Sequence, residues 1–193
     1  MINVNTVTNY NRTGYELEEF LVFSICVANK PAPRIAESVD KLLKDMHWQA
    51  HPLLSIRDYC RSQGVKRFAA KLHHYGITPH NQKAGFLYDA ARAVHNKGLM
   101  LRTCTLEQLM EIKGVSHKTA NFFLTHSRED YDYPVLDTHI LKFLRDCGVD
   151  APMATPSSPK RYKELAEEFM RHVPEGCSVA DYDLYLWRKY SGN

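Results

Sequence analysis

The cysteines of this chain do not cluster. Cys26, Cys60, Cys104, Cys147 and Cys177 are odd in number, and each lies about thirty residues or more from the next. That spacing argues against a disulfide framework, a zinc ribbon and a four-cysteine iron–sulfur loop. Five reduced, mostly buried thiols in a reducing compartment are the expectation. Long apolar runs are also missing. The longest, from Phe20 to Ala28, is interrupted by Ser24 and is far too short to cross a bilayer. The N-terminus has no basic stretch followed by an apolar core, so no signal peptide is expected. Strand-like alternation flanked by hairpin turns is absent, as are internal repeats and low-complexity tracts. An excess of one charge is scarce as well, 25 Lys and Arg standing against 22 Asp and Glu. A net charge of +3 permits a nucleic-acid partner without arguing for one. These absences lead to an expectation of a soluble all-α protein, inside the cell and free of membrane.

What is present is helical periodicity. With 193 residues, 44% of them apolar, the chain can bury one core or two small lobes. Residues 15–28 carry Glu16, Glu18 and Glu19 ahead of an apolar body, which suits a buried helix stopping before Pro31. Ile35, Val39, Leu42, Leu43 and Met46 share one face of a second helix. Residues 53–60 and 65–75 read as short helices parted by Gly64, and 81–97 as a longer amphipathic one. Thr105 is placed to cap Leu106–Ile112, with Gln108 completing a capping box. Gly114 closes that helix, Ser116 can cap His117–His126, and Asp137 precedes a helix over Thr138–Cys147. A linker with three prolines at 150–159 leads to helices over 160–172 and 179–190.

The stretch from Leu109 to Ile140 carries the chemistry. Helix, Gly-Val-Ser hairpin and helix aim free backbone amides at one point, and helix N-termini bind phosphate through those amides. Lys118 lies just past the hairpin. An amine there, beside a bound DNA backbone, can attack the C1′ carbon of a deoxyribose if some fraction is unprotonated, which burial or a cationic neighbour such as Lys113 favours. Asp137, emerging from apolar Val135-Leu136, can stabilise the positive charge that grows as a glycosidic bond breaks. Each feature has a plainer reading: a glycine-capped helical hairpin, a solvated lysine and an N-cap aspartate.

In combination the residues are specific. Gly114-Val115-Ser116-His117-Lys118-Thr119-Ala120-Asn121 and Val135-Leu136-Asp137-Thr138-His139-Ile140 resemble the signature of the helix-hairpin-helix DNA glycosylases. The local match is to the endonuclease III branch, whose lysine and aspartate fall at Lys118 and Asp137. Phe20–Lys30 is similar to the early family helix that ends in a residue inserted into the DNA stack, here Asn29. Residues 75–77 with 81–84 are similar to the segment preceding the penultimate barrel helix. The four-cysteine cluster of endonuclease III is missing, and Ser116 stands where a second hairpin glycine is expected. The C-terminus, Asp183-Leu184-Tyr185-Leu186-Trp187-Arg188-Lys189, looks more like that of the cluster-free 8-oxoguanine DNA glycosylases of the archaeal type.

The resemblance implies a two-lobed helical fold with a cleft, one lobe over 15–131 and the other built from 1–14 plus 132–193. It implies a monomer acting on double-stranded DNA that holds a damaged base, which is flipped out because its reactive carbon is unreachable in the duplex. Lys118 would displace the base, 8-oxoguanine in the first instance, form a Schiff base and permit β-elimination, with Asp137 supporting charge and proton transfer. Gly114, Val115, Ser116, His117 and Lys113 would face the DNA backbone, together with Lys83. Trp187 and Lys189 would build the base pocket, although a helix ending in Leu184, Leu186, Trp187 and Tyr190 is more often plain packing. No cofactor is implied beyond a monovalent cation at the hairpin carbonyls. An oxidised pyrimidine, uracil or a T·G mismatch stays open as substrate. So do a monofunctional glycosylase using water and a non-catalytic DNA-binding protein. His73, His74, His117, His126 and His139 form no histidine pair with a suitably placed acid, so no side-chain metal site is expected.

Overall fold

Local chemistry at the helix ends sets the element boundaries. Thr13 Oγ1 accepts from the Glu16 amide and Glu16 Oε2 accepts from the Thr13 amide at 2.7 Å, a reciprocal cap that opens the first helix, α1 (Gly14–Val27). Such a cap contributes on the order of 1 kcal/mol. The structure, a computed structural model, describes residues 2–28, 30–46 and 51–191. After α1 come α2 (Ala32–Asp45), α3 (Pro52–Gln63), α4 (Val65–His74), α5 (His80–His95) and α6 (Leu106–Met110). They are followed by α7 (His117–Thr125), α8 (Thr138–Asp146), α9 (Pro159–Met170) and α10 (Val179–Ser191). One 3₁₀ turn at Val4–Thr6 precedes them, and no strand occurs among the described residues. The fold is all-α. The expected helices lie within a few residues of these, and Thr105 and Gln108 do form the anticipated capping box.

Two compact units divide the chain. The first comprises Met1–Val7 and Asn11–Ser116, the second Thr8–Tyr10 and His117–Asn193. This division falls inside the hairpin, not at 131/132 as expected, because α7 is tied into the second unit. Tyr131 Oη donates to Asn121 Oδ1, and Thr125 Oγ1 to the Tyr133 carbonyl at 2.6 Å. Of the first fourteen residues, only Thr8–Tyr10 join the second unit.

In the first unit α1 packs against α2, α3 and α5, and α5 against α3 and α4. Phe20, Phe23, Leu42, Leu53, Ile56, Phe68, Leu72 and Leu87 fill its core. Glu18 and Glu19 were expected on a polar first turn, but both are buried, and only Glu16 works as a cap. In the second unit α8 packs on α10, around Leu136, Ile140, Leu144, Tyr162, Phe169 and Leu186. Among the described residues no helix is long and apolar enough to span a membrane.

Candidate active site

Lys118 is the second residue of α7, and Asp137 is the residue that caps α8. Both belong to the second unit, and both are half-buried. Asp137 Oδ1 accepts from the amides of His139 at 2.8 Å and Ile140 at 2.9 Å. One carboxylate oxygen therefore fixes the side chain while Oδ2 takes no hydrogen bond from the described residues. Negative charge at a helix N-terminus is stabilised by the first-turn amides. The Lys118 ammonium has no ion-pair partner among the described residues. An amine without an ion pair and a carboxylate anchored through one oxygen are therefore contributed by consecutive helices.

The segment that delivers Asp137 is pinned from several directions. Tyr162 Oη donates to the Pro134 carbonyl at 3.1 Å and accepts from the Leu136 amide at 3.0 Å. Thr155 Oγ1 donates to the Leu136 carbonyl at 2.7 Å. The Val135 amide donates to Asp183 Oδ1 at 3.3 Å. Because buried backbone groups must be paired, these contacts complete an irregular segment that neither helix nor sheet can satisfy. Asp183 is itself buried, with Oδ2 3.5 Å from His126 Nε2, and His126 Nδ1 lies 2.9 Å from Thr8 Oγ1. Burial pushes the Asp183 carboxyl above its ordinary range, His126 opposes the shift, and the charge of Asp137 adds to it. Sequence reasoning missed Tyr162 and Thr155 altogether, and gave Asp183 and His126 no part in supporting this segment, because all four come from about 10 to 50 residues away and no local spacing links them to it.

The hairpin has a specific steric basis. Gly114 sits at φ +84°, and a Cβ there would lie 2.2–2.6 Å from ring atoms of Phe86. Glycine is required by both the backbone and the neighbour. The Val115 amide is taken by the Ile112 carbonyl at 3.0 Å and the Val115 side chain is buried, so Val115 closes the turn and offers no donor outward. Ser116, Gly114 and Lys113 are exposed, and the Lys113 amide donates to Asp89 Oδ2 at 2.9 Å. His117 is half-buried with its ring 5.5 Å from that of Tyr162. The first-turn amides of α7, those of His117 and Lys118 among them, are the ones a helix leaves without partners of its own.

Three other expected residues fare differently. Lys83 is 4% exposed, and its ammonium donates to the Cys26 carbonyl near the end of α1. Burial lowers its pKa, and it satisfies a helix terminus instead of meeting DNA, which corrects the expectation. Trp187 is half-buried and edge-on to His139 at 6.4 Å, which places it beside the first turn of α8. Lys189 is exposed, its nitrogen 5.7 Å from the centre of the Tyr190 ring. Asn29 lies outside the described residues.

Comparison with known proteins agrees with this architecture. The 8-oxoguanine DNA glycosylase of Thermotoga maritima superposes with a TM-score of 0.75 at 20% identity, covering 98% of this chain and 88% of that one. The glycosylase/lyase of Methanocaldococcus jannaschii, solved with a 15mer DNA containing 8-oxoguanine, gives 0.71 at 23% identity over 98% and 88%. In sequence, an 8-oxoguanine DNA glycosylase/AP lyase of Thermotoga sp. (strain RQ2) is 37% identical over 82 residues, 42% of this chain and 39% of the relative. One from Fusobacterium nucleatum is 36% identical over 83 residues, 42% and 38%. These alignments thus span about two fifths of each curated relative. The model of the helix-hairpin-helix 8-oxoguanine DNA glycosylases matches residues 5–178, nearly the whole chain, and the protein belongs to that family.

Proposed function

We propose that this protein is a DNA glycosylase and abasic-site lyase that excises 8-oxoguanine from duplex DNA, acting as a monomer wherever the cell keeps its DNA. The observation that carries the reading is the pair of helix starts. Lys118 and Asp137 open consecutive helices of one unit, each half-buried and each with an uncommitted functional atom. The family match and the relatives solved with 8-oxoguanine DNA support the choice of base.

The flipped nucleotide presents C1′ to the Lys118 amine. The nitrogen lone pair bonds to C1′ as the bond to the base breaks, and the base leaves with a proton. Asp137 Oδ2 offsets the cationic character of the sugar. Such preorganised electrostatic help contributes about 10²–10³ in rate. The C1′–O4′ bond then breaks, O4′ taking a proton from water, and the nitrogen lone pair forms a protonated imine between Lys118 and C1′. Loss of a C2′ proton then expels the 3′ phosphate, and water hydrolyses the imine to free the lysine. The sequence uses Lys118, Asp137 and water alone. First-turn amides of α7 and the exposed edge of the hairpin serve the phosphate backbone, and Trp187 offers a stacking face beside α8.

The test is borohydride trapping on duplexes carrying 8-oxoguanine, thymine glycol, uracil or a T·G mismatch. The expected result is a covalent adduct with 8-oxoguanine that Lys118→Gln abolishes. Asp137→Asn keeps a good N-cap, so its loss of excision, on the order of 10²-fold or more, reports chemistry and not folding. An adduct that survives Lys118→Gln refutes the lysine mechanism. Preference for another lesion refutes the choice of base alone.

A further inference from the structure

A second group of ligating side chains lies in the first unit, away from Lys118 and Asp137. Glu18 belongs to α1, His51 caps α3, and His95 ends α5. The carboxylate of Glu18 is buried and oriented: its Oε2 accepts from the Leu53 amide at 2.8 Å. Its Oε1 lies 3.1 Å from His51 Nδ1 and 3.0 Å from His95 Nε2, and one ligand atom of each residue falls within 4.8 Å of the others. The two rings meet edge-on at 5.7 Å.

The contact between His95 and Glu18 is close but not aligned for hydrogen bonding, and His95 Nε2 is a buried nitrogen without a hydrogen-bond partner. That is unusual, since a buried ring nitrogen ordinarily finds one. Two ligands directed at a common third atom show just this relation. Bond lengths of about 2.0–2.1 Å in a tetrahedral site separate neighbouring ligands by roughly 3.3 Å. The observed 3.0 and 3.1 Å lie within a few tenths of an ångström of that spacing, and the two imidazole nitrogens lie within 4.8 Å of each other.

We propose that Glu18, His51 and His95 bind a divalent transition metal of the zinc type. Two imidazoles and one carboxylate favour zinc, cobalt or nickel over magnesium or calcium, which prefer all-oxygen sites. The Leu53 amide supplies the outer contact that orients the carboxylate. His51 keeps 48% of its side chain exposed, so ions reach the site from solvent and a fourth position stays open to water. Bound there, the metal clips the start of α3 and the end of α5 to the body of α1. The site is remote in sequence from Lys118 and Asp137, and the repair chemistry above does not require it.

The experiment is titration of the full chain, stripped with chelator, by Zn²⁺ in competition with a chromophoric chelator, and by Co²⁺ read from its visible absorption. One equivalent binds with micromolar or tighter affinity, cobalt shows low-coordinate d–d bands, and the melting temperature rises by roughly 5 °C at saturating metal. His51→Ala, at a half-exposed position, and His95→Gln each weaken binding by on the order of tenfold or more while circular dichroism is unchanged. Absence of micromolar binding overturns the proposal. Binding that survives His51→Ala also overturns it, and assigns the metal to another group such as the His73–His80 ring pair at 4.9 Å. Borohydride trapping through Lys118 persists in chelator, so the two proposals fail separately.

Discussion

Replacing Gly114 by alanine tests whether the hairpin is built as described. The residue sits at φ +84°, where an L side chain costs about 1–2 kcal/mol. The new Cβ would also lie 2.2, 2.3 and 2.6 Å from Cδ2, Cγ and Cδ1 of Phe86. These atoms belong to a half-buried ring, not to a flexible tip, so the ring or the turn must move, for about another 1–3 kcal/mol. Gly114→Ala should therefore destabilise the protein by about 2–5 kcal/mol. The two contributions separate in a double-mutant cycle with Phe86→Ala, which deletes every clashing atom. The coupling energy should recover about 1–3 kcal/mol and leave the backbone cost of about 1–2 kcal/mol. Urea midpoints at constant slope for the four proteins supply the cycle. Fluorescence anisotropy with an abasic duplex tests in the same variants the proposed role of the turn in holding DNA. A single-mutant cost below about 0.5 kcal/mol, or a coupling indistinguishable from zero, refutes the reasoning.

Other consequences follow from the supports of the site. Tyr162→Phe removes the partner of the Leu136 amide and of the Pro134 carbonyl; it should cost about 1–3 kcal/mol in urea unfolding and lower kcat more than it raises KM. An unchanged kcat would show that Asp137 does not depend on this anchor. Asp183→Asn keeps an acceptor for the Val135 amide while removing a carboxyl whose pKa burial raises above 3.8. The folded chain holds that proton longer than the unfolded one, so stability falls as pH climbs from 3.8 through the raised value. The fall should vanish in the variant, and parallel stability–pH curves would contradict it. Burial pushes the Cys26 and Cys60 thiols up to about 12, and Cys104 is also buried, whereas Cys147 is exposed and Cys177 partly so. A thiol-disulfide reagent should count two fast thiols natively and five in denaturant, and a third fast thiol would refute the buried assignment.

The sequence disclosed whatever depends on neighbours along the chain. Helix spans emerged from apolar periodicity, the cap of α6 from Thr105 and Gln108, and Lys118 with Asp137 from a motif that local geometry preserves. Lys83 shows where that reading stops. On a helical wheel it is a cation available for phosphate, yet tertiary packing turns it inward to the Cys26 carbonyl. Glu18 and Glu19 misled in the same way: acids near a helix start favour the first turn, but nothing in α1 alone says that the turn is covered. The unit boundary was misplaced because α7 looks like the second arm of a hairpin. Its attachment through Asn121 and Thr125 is visible only in three dimensions.

The two side-chain groups in this chain differ most in how they are encoded. Lys118 and Asp137 are read from consecutive motifs because each lies at its own helix start, where backbone amides also fix the Asp137 carboxylate. The segment that carries Asp137, however, is held by residues outside both motifs. Tyr162, Thr155 and Asp183 reach the 134–136 backbone from α9, the preceding linker and α10, and His126 stands behind Asp183. An irregular segment has no ladder to satisfy it, so a carboxylate held rigidly at its end requires distant partners. Glu18, His51 and His95 lie at the other extreme, since all three are distant from one another and no stretch of sequence announces them. A conservative change at Tyr162 or Asp183 should therefore disturb Asp137 while leaving the motif intact, and only measurement of the chemistry, not inspection of the signature, would reveal it.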